Sequence, residues 1–173
     1  NTLYYIASAG KTVTAFLAGI AQQEGQLNIN NKTSTYLGNG WTSAPLAKEN
    51  LITVKHQLTM TTGLEYNVPD DNCLTPACLI YKADAGSFWY YYNAPYRLVQ
   101  DVIANATSTN YNTYTKIKLA DKIGMKNYTW FNYTLWLNSR DMARFGLLIM
   151  NKGAWDGNQL MTDQAYFNAM TNT

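Results

Sequence analysis

Apolar residues return at helical spacing along much of this chain. Val13, Phe16, Leu17 and Ile20 fall three and four apart within residues 12–21, which predicts a helix with a core-facing stripe. Gly25 stands where a helix C-terminus favours a left-handed residue. Thr53 is placed to cap a second helix carrying Val54, Gln57, Leu58 and Thr61, with Gly63 closing it. Pro95 opens a third at its first turn, with Leu98, Val99, Val102 and Ile103 on the inner face. Residues 114–122 read as helical. Ser139 caps an amphipathic helix over residues 142–150, ended by Gly153, and Thr162 caps the last one. Between these lie a short capped turn at 31–37, a loop at Gly38-Asn39-Gly40 and a long polar excursion at 67–85. Strand patterns are few, repeats are absent, and the prediction is a mainly helical chain.

The first stripe is broad. Val13, Phe16, Leu17 and Ile20 spread over more than one face, and a helix apolar all round must be buried on several sides. The remaining helices can cover part of it, so an uncovered apolar face is expected unless further chain or a second polypeptide completes the fold. The chain begins with Asn1 and stops inside a helix-like run at 163–170. It is therefore expected to be part of a longer protein, an incomplete single domain over 1–173.

Composition narrows the class. At 173 residues, 47% hydrophobic and 14% charged, the chain is long and apolar enough for a folded core. A net charge of +2 is too small to argue for nucleic acid or anionic membrane, and neither is expected as a partner. No apolar run approaches the length of a membrane span. Asp70, Asp71 and Asp84 lack calcium-loop spacing and read as turn and solubility residues. The two cysteines, Cys73 and Cys78, enclose four residues, and the chain holds one histidine. That set is too small for a zinc site, so no metal or other cofactor is expected. The choice is between two free thiols and a small disulfide. The polar, turn-rich surroundings favour the disulfide, and with it an oxidising compartment, periplasmic or secreted.

Candidate chemistry begins at Ser8-Ala9-Gly10-Lys11. Residues three apart share a helix face, so Ser8 and Lys11 point the same way near a helix start. A serine hydroxyl is a weak nucleophile until a base removes its proton. A lysine among apolar residues can serve, because desolvation disfavours its ammonium form. The structural alternative is an N-cap serine followed by a solvated lysine. Tyr91-Tyr92-Asn93 follows the aromatic run 88–90 and precedes Pro95. Taken singly it reads as an aromatic loop packed on a core. His56 is the one histidine available for a Ser–His–Asp arrangement and reads as structural. Arg140, Asp141 and Arg144 read as an ion-pair set at a helix start.

Together these blocks resemble the serine β-lactamase and penicillin-binding-protein superfamily, on the branch of class C β-lactamases, DD-peptidases and family VIII esterases. Ile6-Ala7-Ser8-Ala9-Gly10-Lys11-Thr12 matches its S-x-x-K nucleophile segment. Residues 23–30 match the continuation of that segment, residues 52–64 a helical block, Tyr91-Tyr92-Asn93-Ala94-Pro95-Tyr96 the Y-x-N block, Ile123-Gly124-Met125 a turn, and residues 139–146 a helix. The blocks stand in the family's order. The resemblance implies an α+β fold of the β-lactamase/transpeptidase type, of which this chain is mainly the helical region. It implies Ser8 as the acylated nucleophile, Lys11 and Tyr91 as acid/base partners, and Asn93 as a hydrogen-bonding group for substrate or Lys11. The Ser8 backbone N–H would be one oxyanion donor. A second donor and a K-T-G or H-x-G triplet would lie beyond Thr173, so the segment alone is expected to be inactive.

The function so implied is hydrolysis of a small or peptide-like ester, amide or β-lactam through an acyl-enzyme. The general esterase and amidase branch is favoured by Met60-Thr61-Thr62-Gly63-Leu64 and by the aromatic run 88–92. The alternative is a non-catalytic binding or sensor domain on the same fold.

Overall fold

The structure, a computed structural model, describes residues 2–172. Asn1 and Thr173, which bound the expected single domain and the expectation of a longer chain, lie outside the described residues. In chain order the elements are β1 (Tyr4–Tyr5), α1 (Gly10–Gln23), α2 (Ser34–Leu37), α3 (Leu46–Glu49), α4 (Val54–Leu58), α5 (Asn93–Arg97), α6 (Val99–Thr107), α7 (Tyr111–Thr115), α8 (Asp121–Ile123), β2 (Tyr128–Phe131), β3 (Thr134–Leu137), α9 (Ser139–Met150), β4 (Ala154–Trp155), β5 (Asn158–Gln159) and α10 (Gln164–Thr171). A π-helical turn, Lys116–Ala120, joins α7 to α8. The chain forms two compact units. One holds the residues up to Leu27 and from Thr107 onward, the other Asn28–Ala106.

In the first unit, successive turns of α1 meet different elements. A Cβ on Gly10 would lie 3.2 Å from Leu135 Cβ of β3. Thr14 Oγ1 and Tyr111 OH of α7 share a buried hydrogen bond of 2.9 Å. The Phe16 ring packs edge-on against Phe145 of α9, and Tyr166 OH of α10 donates to the Ala15 carbonyl at 2.7 Å. Val13, Phe16, Leu17, Ala18, Ile20 and Ala21 are all buried. The breadth of the stripe thus has its cause, and the expectation of an uncovered face on α1 is corrected. Apolar surface stays exposed elsewhere, at Phe131, Leu147 and Met150.

The sheet of this unit is antiparallel, in the order β1-β3-β2, with Tyr5 opposite Trp136 and Trp130 opposite Leu135. Asn132 and Tyr133, at φ 46° and 60°, turn β2 into β3. Two left-handed residues in a two-residue loop match the right-handed twist of a hairpin. Leu135 and Leu137 face inward and Trp136 outward.

The second unit has its core at Trp41, Ile52, Leu64, Leu79, Tyr92 and Leu98. Two buried polar side chains organise its loops. Glu49, 1% exposed, accepts from the N–H groups of Gly40 and Thr42 at 2.8 Å each and from Thr42 Oγ1 at 2.7 Å. Gln57 accepts from Thr33 Oγ1 at 2.9 Å and donates to the Pro95 carbonyl at 2.9 Å, tying α4 to α5.

Several boundaries differ from expectation. The α9 cap is Asn138, whose side chain accepts from Asp141 N–H, and Ser139 is the first helical residue. Asp163, not Thr162, caps α10. In both cases a competing side-chain acceptor stands next to the expected one. The helix expected from residue 114 starts at Tyr111, capped by Asn110. Helix α4 ends at Leu58, and Met60 turns left-handed at φ 57°. Gly63 serves a different need: at φ 76° its missing side chain admits the backbone of Ala83 and Asp84, whose segment donates to the Gly63 carbonyl.

Candidate active site

Ser8 lies in a single 3-10 turn, Ala7–Ala9, that runs directly into α1. Ile6 N–H donates to the Leu135 carbonyl at 3.3 Å, so β3 holds the approach to this turn. Ala7 then takes φ 48°. A left-handed non-glycine residue costs about 1–3 kcal/mol and persists where the surroundings over-determine it, often at functional sites. The result is an exposed Ser8 one turn ahead of a half-buried Lys11. Lys11 Nζ donates to Ser8 Oγ at 3.2 Å. Lys11 leaves a helix whose next turns, Val13, Phe16 and Leu17, are buried.

Tyr91 and Asn93 belong to the second unit. The tyrosines at 90, 91 and 92 divide their tasks. Tyr90 N–H donates to the Met60 carbonyl at 3.1 Å, and its ring stacks on Tyr66 with centroids 3.6 Å apart. Tyr92 is 3% exposed in the core and its hydroxyl donates to the Cys78 carbonyl at 3.3 Å. Burial, followed by the charges of Asp71, Asp70 and Glu65, pushes the Tyr92 phenol up to about 12. Tyr91, between them, is 42% exposed, the same as Tyr90. Asn93 opens α5 and donates through Nδ2 to Asp71 Oδ2 at 2.8 Å.

The remaining candidates have structural work. His56 is the third residue of α4 and completes a capping box with Thr53: Thr53 N–H donates to His56 Nδ1 at 3.1 Å, and His56 N–H donates back to Thr53 Oγ1. Burial, then the Lys55 charge, holds its pKa below the ordinary 6.5. Arg144 Nη1 pairs with Asp141 Oδ1 at 2.9 Å. Asp141, 1% exposed, also accepts through Oδ2 from the N–H groups of Lys126 and Asn127 at 3.0 and 2.7 Å. Cys73 and Cys78 form a disulfide. Among the described residues no group of three or more His, Cys, Asp or Glu could hold a metal ion. No described helix is long and apolar enough to cross a membrane.

Asp71 is the residue that sequence reasoning missed. Asp70 does make the expected local turn, accepting from Asn72 N–H at 2.9 Å. Asp71 instead reaches across 22 residues to Asn93. No periodicity or local motif marks such a contact.

With this geometry in place, the relatives can be compared. The Beta-lactamase family model matches residues 1–172. PbpX of Bacillus subtilis (strain 168), which carries a provisional name as a penicillin-binding protein, is 26% identical over 133 residues. That match covers 72% of this chain and 32% of PbpX. The octameric penicillin-binding protein homologue from Pyrococcus abyssi superposes with a TM-score of 0.78 at 17% identity, over 96% of this chain and 48% of that one. A D-stereospecific amidohydrolase from Streptomyces sp. superposes with a TM-score of 0.80 at 16% identity, over 100% of this chain and 66% of that one. The chain therefore spans a third to two thirds of the length of these relatives, and at these identities the structural likeness speaks for the β-lactamase/transpeptidase-like fold alone. A family match running from the approach to Ser8 through α10 is decisive: the chain belongs to the Beta-lactamase family.

Proposed function

We propose that the full-length protein is a serine hydrolase that works through an acyl-enzyme, with Ser8 as nucleophile. The observation that carries this reading is the 3.2 Å contact between Lys11 Nζ and Ser8 Oγ, on a turn entered through the left-handed Ala7. Lys11 in its amine form would accept the hydroxyl proton at that distance. Ser8 Oγ would then bond to the carbonyl carbon of an ester, amide or β-lactam. The leaving oxygen or nitrogen departs with a proton, and water releases the acid and restores the hydroxyl. Tyr91 is the second acid/base group. Its support is its place in the Tyr91-Tyr92-Asn93 block together with its exposure: Tyr92 is buried, and the equally exposed Tyr90 is stacked on Tyr66. The names of relatives span penicillin binding and amide hydrolysis, and both involve attack on an acyl carbon. The disulfide supports a periplasmic or secreted site of action.

The test is intact-mass analysis of the full-length protein after exposure to a fluorophosphonate and to a penicillin. One adduct is expected, mapping to Ser8 and lost in Ser8→Ala. Lys11→Ala and Tyr91→Phe should each lower turnover by about a hundredfold or more. Labelling that survives Ser8→Ala, or a modified peptide elsewhere, would overturn the assignment. An unlabelled but ligand-binding protein would point to the non-catalytic alternative.

A further inference from the structure

We propose that Asp71, two residues before the loop that the Cys73–Cys78 disulfide closes, is the positioning residue for Asn93, and that this segment, Asp71 to Cys78, holds Asn93 and the neighbours of Tyr91 in working geometry. The inference rests on the reading of Tyr91 and Asn93 as site residues.

That segment grips the stretch around Asn93 from both of its ends. At the near end Asp71 makes two bonds to α5. Its Oδ2 accepts from Asn93 Nδ2 at 2.8 Å, and its backbone carbonyl accepts from Ala94 N–H at 2.9 Å. Its other oxygen, Oδ1, accepts from Asn72 Nδ2 at 2.7 Å, which fixes the rotation of the carboxylate. At the far end the Cys78 carbonyl accepts from Tyr92 OH. The two ends are joined by polar chain with one short 3-10 turn, Pro76–Cys78, and by the disulfide, whose Cα atoms are 5.9 Å apart. On the other side of Tyr91, the Tyr90 backbone is tied to Met60. Tyr91 is exposed, as Trp89 and Tyr90 before it are, in a stretch whose backbone is tied at Tyr90 and whose next side chain, Tyr92, is buried.

Chemistry decides which atom of Asn93 points where. An ionised carboxylate only accepts hydrogen bonds. The Asn93 nitrogen must then face Asp71, which sets the rotation of the amide and with it the directions of its carbonyl oxygen and its second N–H. Hydrogen bonds to a charged acceptor are stronger than neutral ones, so this orientation is well enforced.

The experiment uses the full-length protein and follows acylation kinetics beside a readout that needs no turnover, the NMR signals of the Asn93 side-chain amide. Asp71→Ala should shift those signals and slow acylation by about tenfold to a hundredfold, the scale of a small misplacement, with kcat falling and KM little changed. Asp71→Asn keeps an acceptor oxygen and should recover most of the rate. Asp71→Ala should add nothing to Asn93→Ala in a double-mutant cycle. Cys73→Ser with Cys78→Ser should reproduce the loss, as should reduction of the wild type. Unmoved Asn93 signals in Asp71→Ala, or strictly additive losses with Asn93→Ala, would overturn the Asp71 role. An unchanged rate in the cysteine double variant would overturn the role of the disulfide. A protein that shows the NMR shift but never acylates would instead fail the proposed function.

Discussion

Gly19 sits in the middle of α1, the helix that carries Lys11, and glycine is a poor residue there. Replacing it with alanine normally stabilises a helix interior by about 1 kcal/mol. Here the opposite is expected. A Cβ on Gly19 would lie 2.6 Å from Tyr166 Cδ1, closer still to Tyr166 Cε1, and 2.7 Å from Met161 Cε. The Met161 methyl ends a flexible side chain and can swing, although the residue is fully buried. The Tyr166 ring cannot follow cheaply. Its hydroxyl is bonded to the Ala15 carbonyl at 2.7 Å and its N–H to Asp163 Oδ1 at 2.9 Å. Overpacking of this kind costs about 1–3 kcal/mol, and losing the hydroxyl bond adds about 1 kcal/mol. Set against the propensity gain, Gly19→Ala should destabilise by about 1–3 kcal/mol. At about 2–4 °C per kcal/mol for a domain of this size or somewhat larger, a thermal melt of the full-length protein should move down by several degrees. In a Tyr166→Ala background the obstacle is gone, and the same substitution should become stabilising. A rise in Tm for Gly19→Ala alone would show that α10 does not approach α1 as described.

Asp141→Ala should be among the more damaging single changes, by about 3 kcal/mol in denaturant unfolding, because it strips a buried carboxylate from the Arg144 guanidinium and from two backbone N–H groups. Asp141→Asn, which keeps one acceptor, should lose less, and an Ala variant within about 0.5 kcal/mol of wild type would exclude the carboxylate as a hub. His56 gives a pH signature. Its folded pKa is lowered, so the unfolded chain takes up the proton first. The capping contribution is full above pH 6.5 and is lost as pH falls below that value towards the folded pKa. The loss should be about 1 kcal/mol, the scale of a helix cap. His56→Gln can still accept from Thr53 N–H and should show no such step; the same step in that variant would place its origin elsewhere.

The sequence was most legible where one local rule decided the outcome. The stripe of Val13, Phe16, Leu17 and Ile20 predicted α1, although its cover comes from this chain's own β3, α7, α9 and α10, which the stripe alone did not reveal. The Ser8–Lys11 contact followed from helical spacing, and the disulfide from two cysteines in a short polar loop. The strands were less legible for a definable reason. The β2–β3 hairpin carries its signal in alternating Trp130, Leu135 and Leu137 around Asn132-Tyr133, but each strand has only four residues, too few for a period of two to stand out. Helix caps slipped by one residue at Asn138 and Asp163 because Asn-Ser and Thr-Asp pairs offer adjacent acceptors, and packing chooses between them. The Asp71–Asn93 bond was the least legible feature. Its partners are separated by an irregular polar loop, and nothing in their neighbourhoods differs from the turn chemistry of Asp70 beside it. What fixes Asn93 is therefore a long-range contact in the part of the chain where local rules say least. The Ser8–Lys11 contact can be read from spacing along one stretch of chain, whereas the placement of Asn93 depends on how an irregular loop closes.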